Sequence, residues 1–441
     1  MEENKFEEIV NLAKKRGFVF PSSEIYGGFS SCYDYGPLGV EMKNKIKNFW
    51  WQTMTRRKER VFGLDAAILM APKVWEASGH LAGFVDQLVE CKNCKKRFRI
   101  DEVKERKCPE CQGDLTAPKN FNLMMKTFVG PVEDRASITF LRPETCQGIY
   151  VNFLNVQRTM RARLPFGICQ IGKAFRNEIS PRNFLYRLRE FEQMEFQWFC
   201  NPKEADFWFD FWLKERLAFL ERIGLKKEKI RVFEVPEKER AHYAKRQVDI
   251  EFRFPFGWKE IEGVHNRGDW DLSRHSQFSG KDLNYFDPET KERFLPYIIE
   301  TSVGVDRLFF ALLSDAFEEF KKGRSGRGKE KEVLLKLSPL VAPVEIAILP
   351  LVQNNPDILK ISKEIFESLQ KEFLCFYDQT GSIGRRYRRQ DEIGTVFAIT
   401  VDFQTLEDRT VTVRDRDTMK QERKKIEELK DFFREKLRYF W

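Results

Sequence analysis

The chain has 441 residues, of which 42% are hydrophobic and 33% are charged, a balance that is ordinary for a soluble globular protein with two or three domains. The formal net charge of +9 is compatible with a polyanionic partner without requiring one. No apolar run of about 18 residues occurs, and the acidic N-terminus lacks the layout of a signal peptide. We therefore expect a cytoplasmic protein without a membrane span.

The N-terminal region is predicted to be helical at both ends. Residues 3–16 have the pattern of an amphipathic helix that ends at Gly17. The Gly-, Ser- and Tyr-rich segment 21–38 indicates loops over a core, and a long helix is predicted for about residues 39–56. Trp50 and Trp51 in this helix are expected to be buried, either within a monomer or between two subunits.

Four of the nine cysteines form two Cys-x2-Cys pairs, Cys91 with Cys94 and Cys108 with Cys111. Thiolates in two such knuckles can reach one tetrahedral zinc ion. Disulfides are the alternative, but a cytosolic chain would not retain them. We predict a zinc ribbon, inserted at about residues 88–116. The other five cysteines are expected to be buried, unreactive thiols.

Residues 167–199 are predicted to form two strands joined by a basic loop. Side chains alternate between the two faces of a strand, so Gln193, Glu195 and Gln197 share one face between aromatic residues. Arg176 and Glu178 share a face of the first strand, on which Gly172 would leave space above the sheet. This pattern indicates a site for a small charged ligand; the alternative is a solvent-exposed sheet face.

Basic residues are concentrated around this hairpin. From Asn155 to Arg189 there are eight Lys and Arg residues, Arg182 among them, against the single acid Glu178. This excess indicates a place where phosphate groups are handled.

The second half of the chain has two parts. A helix is predicted for 202–225, a strand–turn–strand unit for 248–264 and an exposed loop for 320–332. After a boundary near residue 340, strands and helices alternate, which predicts a compact α/β domain over 341–441. The preceding residues, 1–338, would form the other domain.

A second polar cluster lies in residues 298–313. Glu300 and Ser302 share a face of a short strand, and a helix begins at Gly304 with Asp306 and Arg307 in its first turn. Helix N-termini favour anions, so phosphate binding is one interpretation. The other is an Asp306–Arg307 salt bridge that caps a buried helix.

These segments resemble a known family. The string F-R-N-E, a basic loop and R-E-F-E-Q-M-E resembles motif 2 of the class II aminoacyl-tRNA synthetases, and in detail that of the glycyl-tRNA synthetases. Residues 298–313 resemble motif 3, residues 33–39 and the following helix occupy the place of motif 1, and L-R-P-E-T-C-Q-G-I is similar to a string of the glycine pocket. The resemblance extends from Phe20 to about Lys425.

The resemblance implies the α+β class, with an antiparallel catalytic sheet flanked by helices and a C-terminal α/β anticodon-binding domain. It also implies a homodimer. It implies that ATP, with Mg²⁺, and glycine give glycyl-adenylate, and that glycine then passes to the 3′ end of tRNA(Gly). Arg176 would bind the α-phosphate and Arg307 the γ-phosphate, as the catalytic residues. No editing domain is expected, because excluding side chains larger than hydrogen is sterically simple.

The resemblance also assigns the binding residues. The ATP set is Arg176, Asn177, Glu178, Tyr186, Arg187, Arg189, Phe191, Glu260, Ile261, Gly304, Asp306 and Arg307. The glycine set is Arg99, Glu144, Phe191, Glu192, Gln193, Glu195, Glu300 and Ser302. Glu144, Glu195 and Glu300 would surround the ammonium group, and Glu260 could hold Mg²⁺. His265 is interpreted as structural.

Two rival interpretations stay open. One is another enzyme of the same subclass, such as a prolyl or seryl enzyme. The other is a catalytically inactive relative that serves as a polymerase accessory or RNA-binding subunit. The presence of Arg176, Glu178 and Arg307 argues against an inactive relative.

Overall fold

The computed structural model describes residues 2–56, 58–103, 106–179, 183–324 and 330–437. Arg182 of the basic stretch and the middle of the predicted 320–332 loop lie outside these ranges. Within them, no helix is both long and apolar enough to cross a membrane.

The helices agree with most of the predicted ones. They are α1 (Glu2–Lys15), α2 (Pro37–Trp51), α3 (Pro72–Ala77), α4 (His80–Gly83), α5 (Cys146–Val151), α6 (Phe153–Thr159), α7 (Ala205–Ile223), α8 (Trp270–Ser279), α9 (Val305–Ala316), α10 (Pro356–Leu369), α11 (Ile383–Ile393), α12 (Phe403–Asp408) and α13 (Leu429–Leu437). The predicted 39–56 helix is shorter as an α-helix, because residues 52–56 continue it in π-helical form.

The strands of the first 300 residues include both predicted strands of the hairpin. They are β1 (Val19–Pro21), β2 (Tyr33–Tyr35), β3 (Val61–Gly63), β4 (Val85–Glu90), β5 (Arg97–Arg99), β6 (Lys119–Asn122), β7 (Met125–Phe128), β8 (Ile138–Leu141), β9 (Phe166–Phe175), β10 (Glu190–Cys200), β11 (Ile230–Glu234), β12 (Arg246–Phe254), β13 (Gly257–Gly268), β14 (Tyr285–Phe286) and β15 (Arg293–Phe294).

The remaining strands close the main sheet and build the C-terminal part. They are β16 (Tyr297–Gly304), β17 (Phe317–Phe320), β18 (Glu332–Leu335), β19 (Ile346–Pro350), β20 (Cys375–Tyr377), β21 (Phe397–Val401), β22 (Thr410–Asp415) and β23 (Gln421–Lys425).

A seven-stranded sheet is the frame of the molecule, in the order β11-β12-β13-β16-β10-β9-β3. All neighbouring strands are antiparallel except β3, which runs parallel to β9. One face of β10 carries Phe196 and Trp198, which pack on Trp212 of α7. The other face carries Glu195 and buried amides, so the predicted alternation separates a core face from a polar face.

The predicted ribbon is a small separate layer. Strands β5-β4-β6 form a three-stranded sheet, and its buried apolar cluster consists of Val89, Phe98 and the two cysteines Cys91 and Cys108. Because half of this cluster is cysteine, the layer has little apolar core of its own.

The C-terminal part is the predicted α/β unit. Its five-stranded sheet has the order β20-β19-β21-β22-β23, with β20-β19-β21 parallel and β22 and β23 antiparallel. Together with the antiparallel main sheet, this sheet confirms the α+β class.

Candidate active site

A cleft of about 270 Å³ opens on the polar face of the main sheet. The predicted residues that line it are Glu144, Arg176, Glu178, Tyr186, Arg187, Phe191, Gln193, Glu195, Glu260, Ile261, Glu300, Ser302, Gly304, Asp306 and Arg307. The two predicted polar clusters meet here because β10 pairs directly with β16. Segments a hundred residues apart in sequence therefore share one site.

The centre of the cleft is a group of buried carboxylates. Glu195 lies opposite Ser302 in the register of β10 and β16, and its Oε2 accepts hydrogen bonds from Ser302 Oγ at 3.1 Å and Thr145 Oγ1 at 3.2 Å. Glu300 and Glu195 are bridged by Gln197 Nε2, which lies 2.9 Å from Glu300 Oε2 and 3.1 Å from Glu195 Oε1. These hydrogen bonds hold the carboxylates of Glu195 and Glu300 in place.

Glu144 reaches the same centre from the turn before α5. Its carboxylate lies 3.4 Å from His80 Nε2, and its Oε1 accepts hydrogen bonds from Cys146 Sγ and Gln147 Nε2, each at 3.0 Å. The three glutamates predicted to form one pocket do line a single cleft.

A buried arginine balances this acidic group. Arg267 of β13 donates to Glu300 at 3.1 Å and to Asp271 at 2.7 Å, and its guanidinium carbon lies 3.6 Å from the centroid of the Tyr243 ring. His265 Nδ1, two residues earlier on the same strand, lies 2.8 Å from Glu300 Oε1. A buried cation therefore lies beside the acidic groups that line the cleft.

The three glutamates titrate differently. Burial and the neighbouring Glu300 hold the pKa of Glu195 well above its usual range. Burial would raise the pKa of Glu300 as well, but Arg267 and His265 outweigh it and lower this pKa to about 2. Against the same burial, His80 and Arg267 hold the pKa of Glu144 well below its ordinary value. Glu195 is therefore the one of the three glutamates whose pKa is shifted upward.

The other end of the cleft combines arginines with aromatic rings. The Arg176 guanidinium lies 5.2 Å from the Phe191 ring centroid, and its Nε donates to the Pro143 carbonyl at 3.1 Å. Arg307, at the start of α9, lies 4.5 Å from the Tyr186 ring and pairs with Glu260 at 2.9 Å. Planar cations beside flat rings suit a nucleotide, which has a base and phosphates.

Several predicted residues lie elsewhere. The Glu192 side chain is on the opposite face of β10, paired with Lys43 at 2.7 Å and Lys47 at 3.2 Å. Asn177 does not line the cleft, and its backbone N–H donates to Leu123. Arg189 lies at the rim, where it donates to the carbonyls of Ser30 and Glu178.

Arg99 and Asp306 have partners of their own. Arg99 is held by Asp86 at 3.2 Å and Asp101 at 3.1 Å and does not line the cleft. Asp306 lines the cleft but accepts from Lys43 at 3.2 Å and from the Tyr35 hydroxyl. The alternative interpretation of an Asp306–Arg307 salt bridge is therefore wrong, because Arg307 pairs with Glu260 instead.

The expectation of open space above Gly172 is also wrong. A Cβ atom at Gly172 would meet Arg142 Nη2 at 2.2 Å, so the space is filled by the Arg142 side chain. That arginine donates to the carbonyls of Lys173 at 2.6 Å and Ala66 at 2.7 Å. Gly172 therefore leaves room for the Arg142 side chain and not for a ligand.

The four ribbon cysteines come together as predicted. Their sulfur atoms all lie within 4.8 Å of one another, with Cys91 and Cys111 3.4 Å apart and Cys94 and Cys108 3.7 Å apart. Sulfurs around a tetrahedral zinc, each about 2.3 Å from the metal, are separated by roughly 3.8 Å. The Cys94 backbone N–H donates to Cys91 Sγ and helps to lower the pKa of that thiol to about 6. The cluster fits a zinc ion.

The chain is similar to known proteins over nearly its whole length. The model of a tRNA synthetase class II core domain (G, H, P, S and T) matches residues 131–316, and that of an anticodon binding domain matches 345–436. The chain is 50% identical to a glycine–tRNA ligase from Treponema denticola, with 96% of this chain and 95% of the relative aligned. A glycine–tRNA ligase from Thermobifida fusca is 48% identical over 97% of each chain. The chain belongs to the glycine–tRNA ligase family. It is thus an aminoacyl-tRNA synthetase, as the resemblance implied.

The buried charged residues behind the cleft of this glycine–tRNA ligase family member were not predicted from the sequence. His80, Arg267 and Asp271 were not predicted, and His265 was interpreted as structural although it contacts Glu300. One signal was present: His265 and Arg267 are two residues apart in β13 and therefore share one face of that strand. A buried arginine indicates a buried acidic partner.

Proposed function

We propose that the cleft first joins glycine to ATP as glycyl-adenylate and then transfers glycine to the 3′ end of tRNA(Gly). The observation that carries this proposal is the convergence of Glu195, Glu300 and Ser302 beside the Arg176–Phe191 pair in one cleft. Glutamates suit an ammonium group, and an arginine on an aromatic ring suits a nucleotide phosphate next to its base.

Glycine would be recognised by charge and by lack of space. Its ammonium group would bind between Glu195 and Glu300, while the thiol of Cys146 and the ring of Tyr243, which also line the cleft, would exclude any side chain. A prolyl or seryl substrate would require room at the same place. Glu192 is left out of this glycine site because its side chain faces away from the cleft.

In the first step the glycine carboxylate attacks the α-phosphorus of ATP and pyrophosphate leaves. Arg176 would stabilise the charge that builds on the α-phosphate, and Phe191 would support the adenine ring. Arg307 would bind the γ-phosphate, for which it would exchange its Glu260 partner for the nucleotide. No general base is needed, because a carboxylate is already a nucleophile; positioning and charge provide the rate.

Metals and assembly complete the proposal. Glu260 would hold Mg²⁺ together with the ATP phosphates, where the ion neutralises phosphate charge; zinc would bind Cys91, Cys94, Cys108 and Cys111. Residues 1–338 would be the catalytic domain, 88–116 its ribbon insertion and 341–441 the anticodon-binding domain. We further propose a cytoplasmic homodimer with motif 1 at the interface.

The test is amino-acid-dependent ATP–pyrophosphate exchange measured with all twenty amino acids. Glycine alone should support exchange, and Glu195→Gln should raise the KM for glycine by roughly 100-fold, because a charged hydrogen-bond partner is lost. Glu192→Gln is the matched control: it changes the same residue type on the opposite face of β10 and should leave this KM unchanged. Exchange with another amino acid would refute glycine specificity, and no exchange with any amino acid would refute catalysis.

A further inference from the structure

A short turn near the N-terminus exposes large apolar side chains, and hydrogen bonds through Arg189 connect it to a residue of the cleft. In residues 22–32, here called the Tyr26 turn, Ile25 is 88% exposed, Tyr26 86% and Phe29 60%. Neighbouring apolar side chains exposed to this extent cost hydration free energy, and such patches commonly mark interaction sites.

The Tyr26 turn is ordered by its own backbone. Ser22 N–H donates to the Cys32 carbonyl at 3.1 Å and Phe29 N–H to the Ser22 carbonyl at 2.8 Å, which closes the loop. Gly27 and Gly28 have φ values of +91° and +80°, in the left-handed region that glycine adopts without strain. The turn is therefore a preformed platform that presents Tyr26 outward.

Hydrogen bonds connect this platform to the nucleotide end of the cleft. Arg189 N–H donates to the Ser31 carbonyl at 3.1 Å, and the Arg189 guanidinium donates to the carbonyls of Ser30 and Glu178 at 3.2 and 3.3 Å. Glu178 lines the cleft. The Arg189 guanidinium also lies 5.9 Å from the Phe29 ring, so this one cation contacts both the turn and Glu178 of the cleft.

We propose that the Tyr26 turn binds the unpaired nucleotides at the 3′ end of the tRNA, stacking a base on Tyr26 while the terminal adenosine enters the cleft. This inference rests on the proposed function, which requires a tRNA end to reach the glycyl group. Unstacked RNA bases bind aromatic faces flanked by arginines. Arg189 and Arg187, which also lines the cleft, supply positive charge for the neighbouring phosphates.

The experiment separates glycine activation from tRNA charging in the full-length protein. Tyr26→Ala and Tyr26→Phe are compared with wild type in two assays: glycine-dependent ATP–pyrophosphate exchange, and aminoacylation of an unmodified tRNA(Gly) transcript. Phe207→Ala is the control, because Phe207 is also exposed, at 64%, but belongs to α7 on the opposite face of the sheet. Sedimentation velocity and thermal unfolding are recorded for each variant.

Tyr26→Ala should keep wild-type exchange and lose about tenfold in kcat/KM for tRNA, the loss expected for one stacked base. Tyr26→Phe keeps the ring and should charge tRNA like wild type, as should Phe207→Ala. Wild-type charging by Tyr26→Ala would overturn the proposal. So would a change of oligomeric state in that variant, which would make the turn a contact between copies of the chain. Failure of wild-type exchange would instead refute the proposed function.

Discussion

Glu195 and Glu300 have the same side chain but different surroundings. Replacing each by glutamine should therefore have opposite effects on the stability of the protein. Glu300→Gln leaves Arg267 with one buried carboxylate partner fewer and should destabilise the protein by about 3 kcal/mol. Glu195→Gln removes an acid whose pKa burial has raised, so the ligand-free protein should unfold at the same or a higher temperature. Thermal unfolding at pH 7.5 checks both; a lower melting temperature for Glu195→Gln would contradict the assignment.

The pH dependence of stability separates the same two groups. The pKa of Glu300 is about 2 in the folded protein and about 4.3 when unfolded, so its stabilising contribution is complete above the unfolded value and is lost as the pH falls towards 2. The raised pKa of Glu195 has the opposite sign: stability falls as the pH rises above its unfolded value. Denaturant unfolding of Glu300→Gln should show a weaker acid dependence than wild type, and that of Glu195→Gln a weaker decline with increasing pH.

Glycine binding should release a proton. Glu195 holds a proton more strongly than an ordinary glutamate because it is buried beside Glu300, and an ammonium group bound there would favour the carboxylate. Glycine titrations in buffers of different ionisation enthalpy should give different apparent heats, and the KM for glycine should fall as the pH rises. Glu195→Gln should lose the buffer dependence. Equal heats in every buffer with the wild type would contradict this role.

Individual residues also show the limit of sequence reasoning. Alternation along β10 was enough to predict that Glu195 lies on the polar face of the strand, where it lines the cleft, because strand geometry is local. The contacts of Glu300 with Arg267, and of Glu144 with His80, join segments far apart in the chain. Their selection depends on tertiary packing, which no local pattern contains. The prediction of open space above Gly172 was wrong for the same reason, because the Arg142 side chain that fills this space comes from another segment of the chain.

The folding of the zinc ribbon is expected to depend on a bound metal. Its apolar cluster consists of Val89, Phe98, Cys91 and Cys108, so removing the metal should unfold β4 and β5. Arg99, at the end of β5, would then be released from Asp86. Against burial, Asp86, Asp101 and, most weakly, Glu178 of the cleft raise the pKa of Arg99. We therefore expect chelation to lower glycine activation by roughly tenfold through misplacement of this group.

The readouts for the ribbon are metal content, hydrogen exchange over residues 85–122 and ATP–pyrophosphate exchange. Cys94→Ser should lose metal and protection together, and Arg99→Ala should reproduce its activity loss while retaining the metal. Cys375→Ser, outside the cluster, is the control. Unchanged glycine activation by a metal-free, folded enzyme would refute the coupling.

The catalytic part and the C-terminal part of the molecule share one apolar cluster. It runs from Phe317 and Leu335, paired in β17 and β18, through Leu337 and Val341 to Ile346 of the C-terminal sheet. A Cβ at Gly394 would meet Leu337 Cδ1 at 2.8 Å. The fold of each of the two domains was predicted correctly from the sequence. The continuous core that packs them together could not be predicted in this way.

This shared core predicts a single cooperative unfolding transition for the two parts. Leu337→Ala should cost about 2–5 kcal/mol and split the calorimetric transition, because it weakens the apolar contact that couples the two sheets. Leu272→Ala is the matched control: Leu272 is equally buried, but in a cluster confined to the catalytic part, so the transition should move to lower temperature without splitting. Two separate wild-type transitions, or an unsplit one in Leu337→Ala, would show that the parts unfold without this coupling.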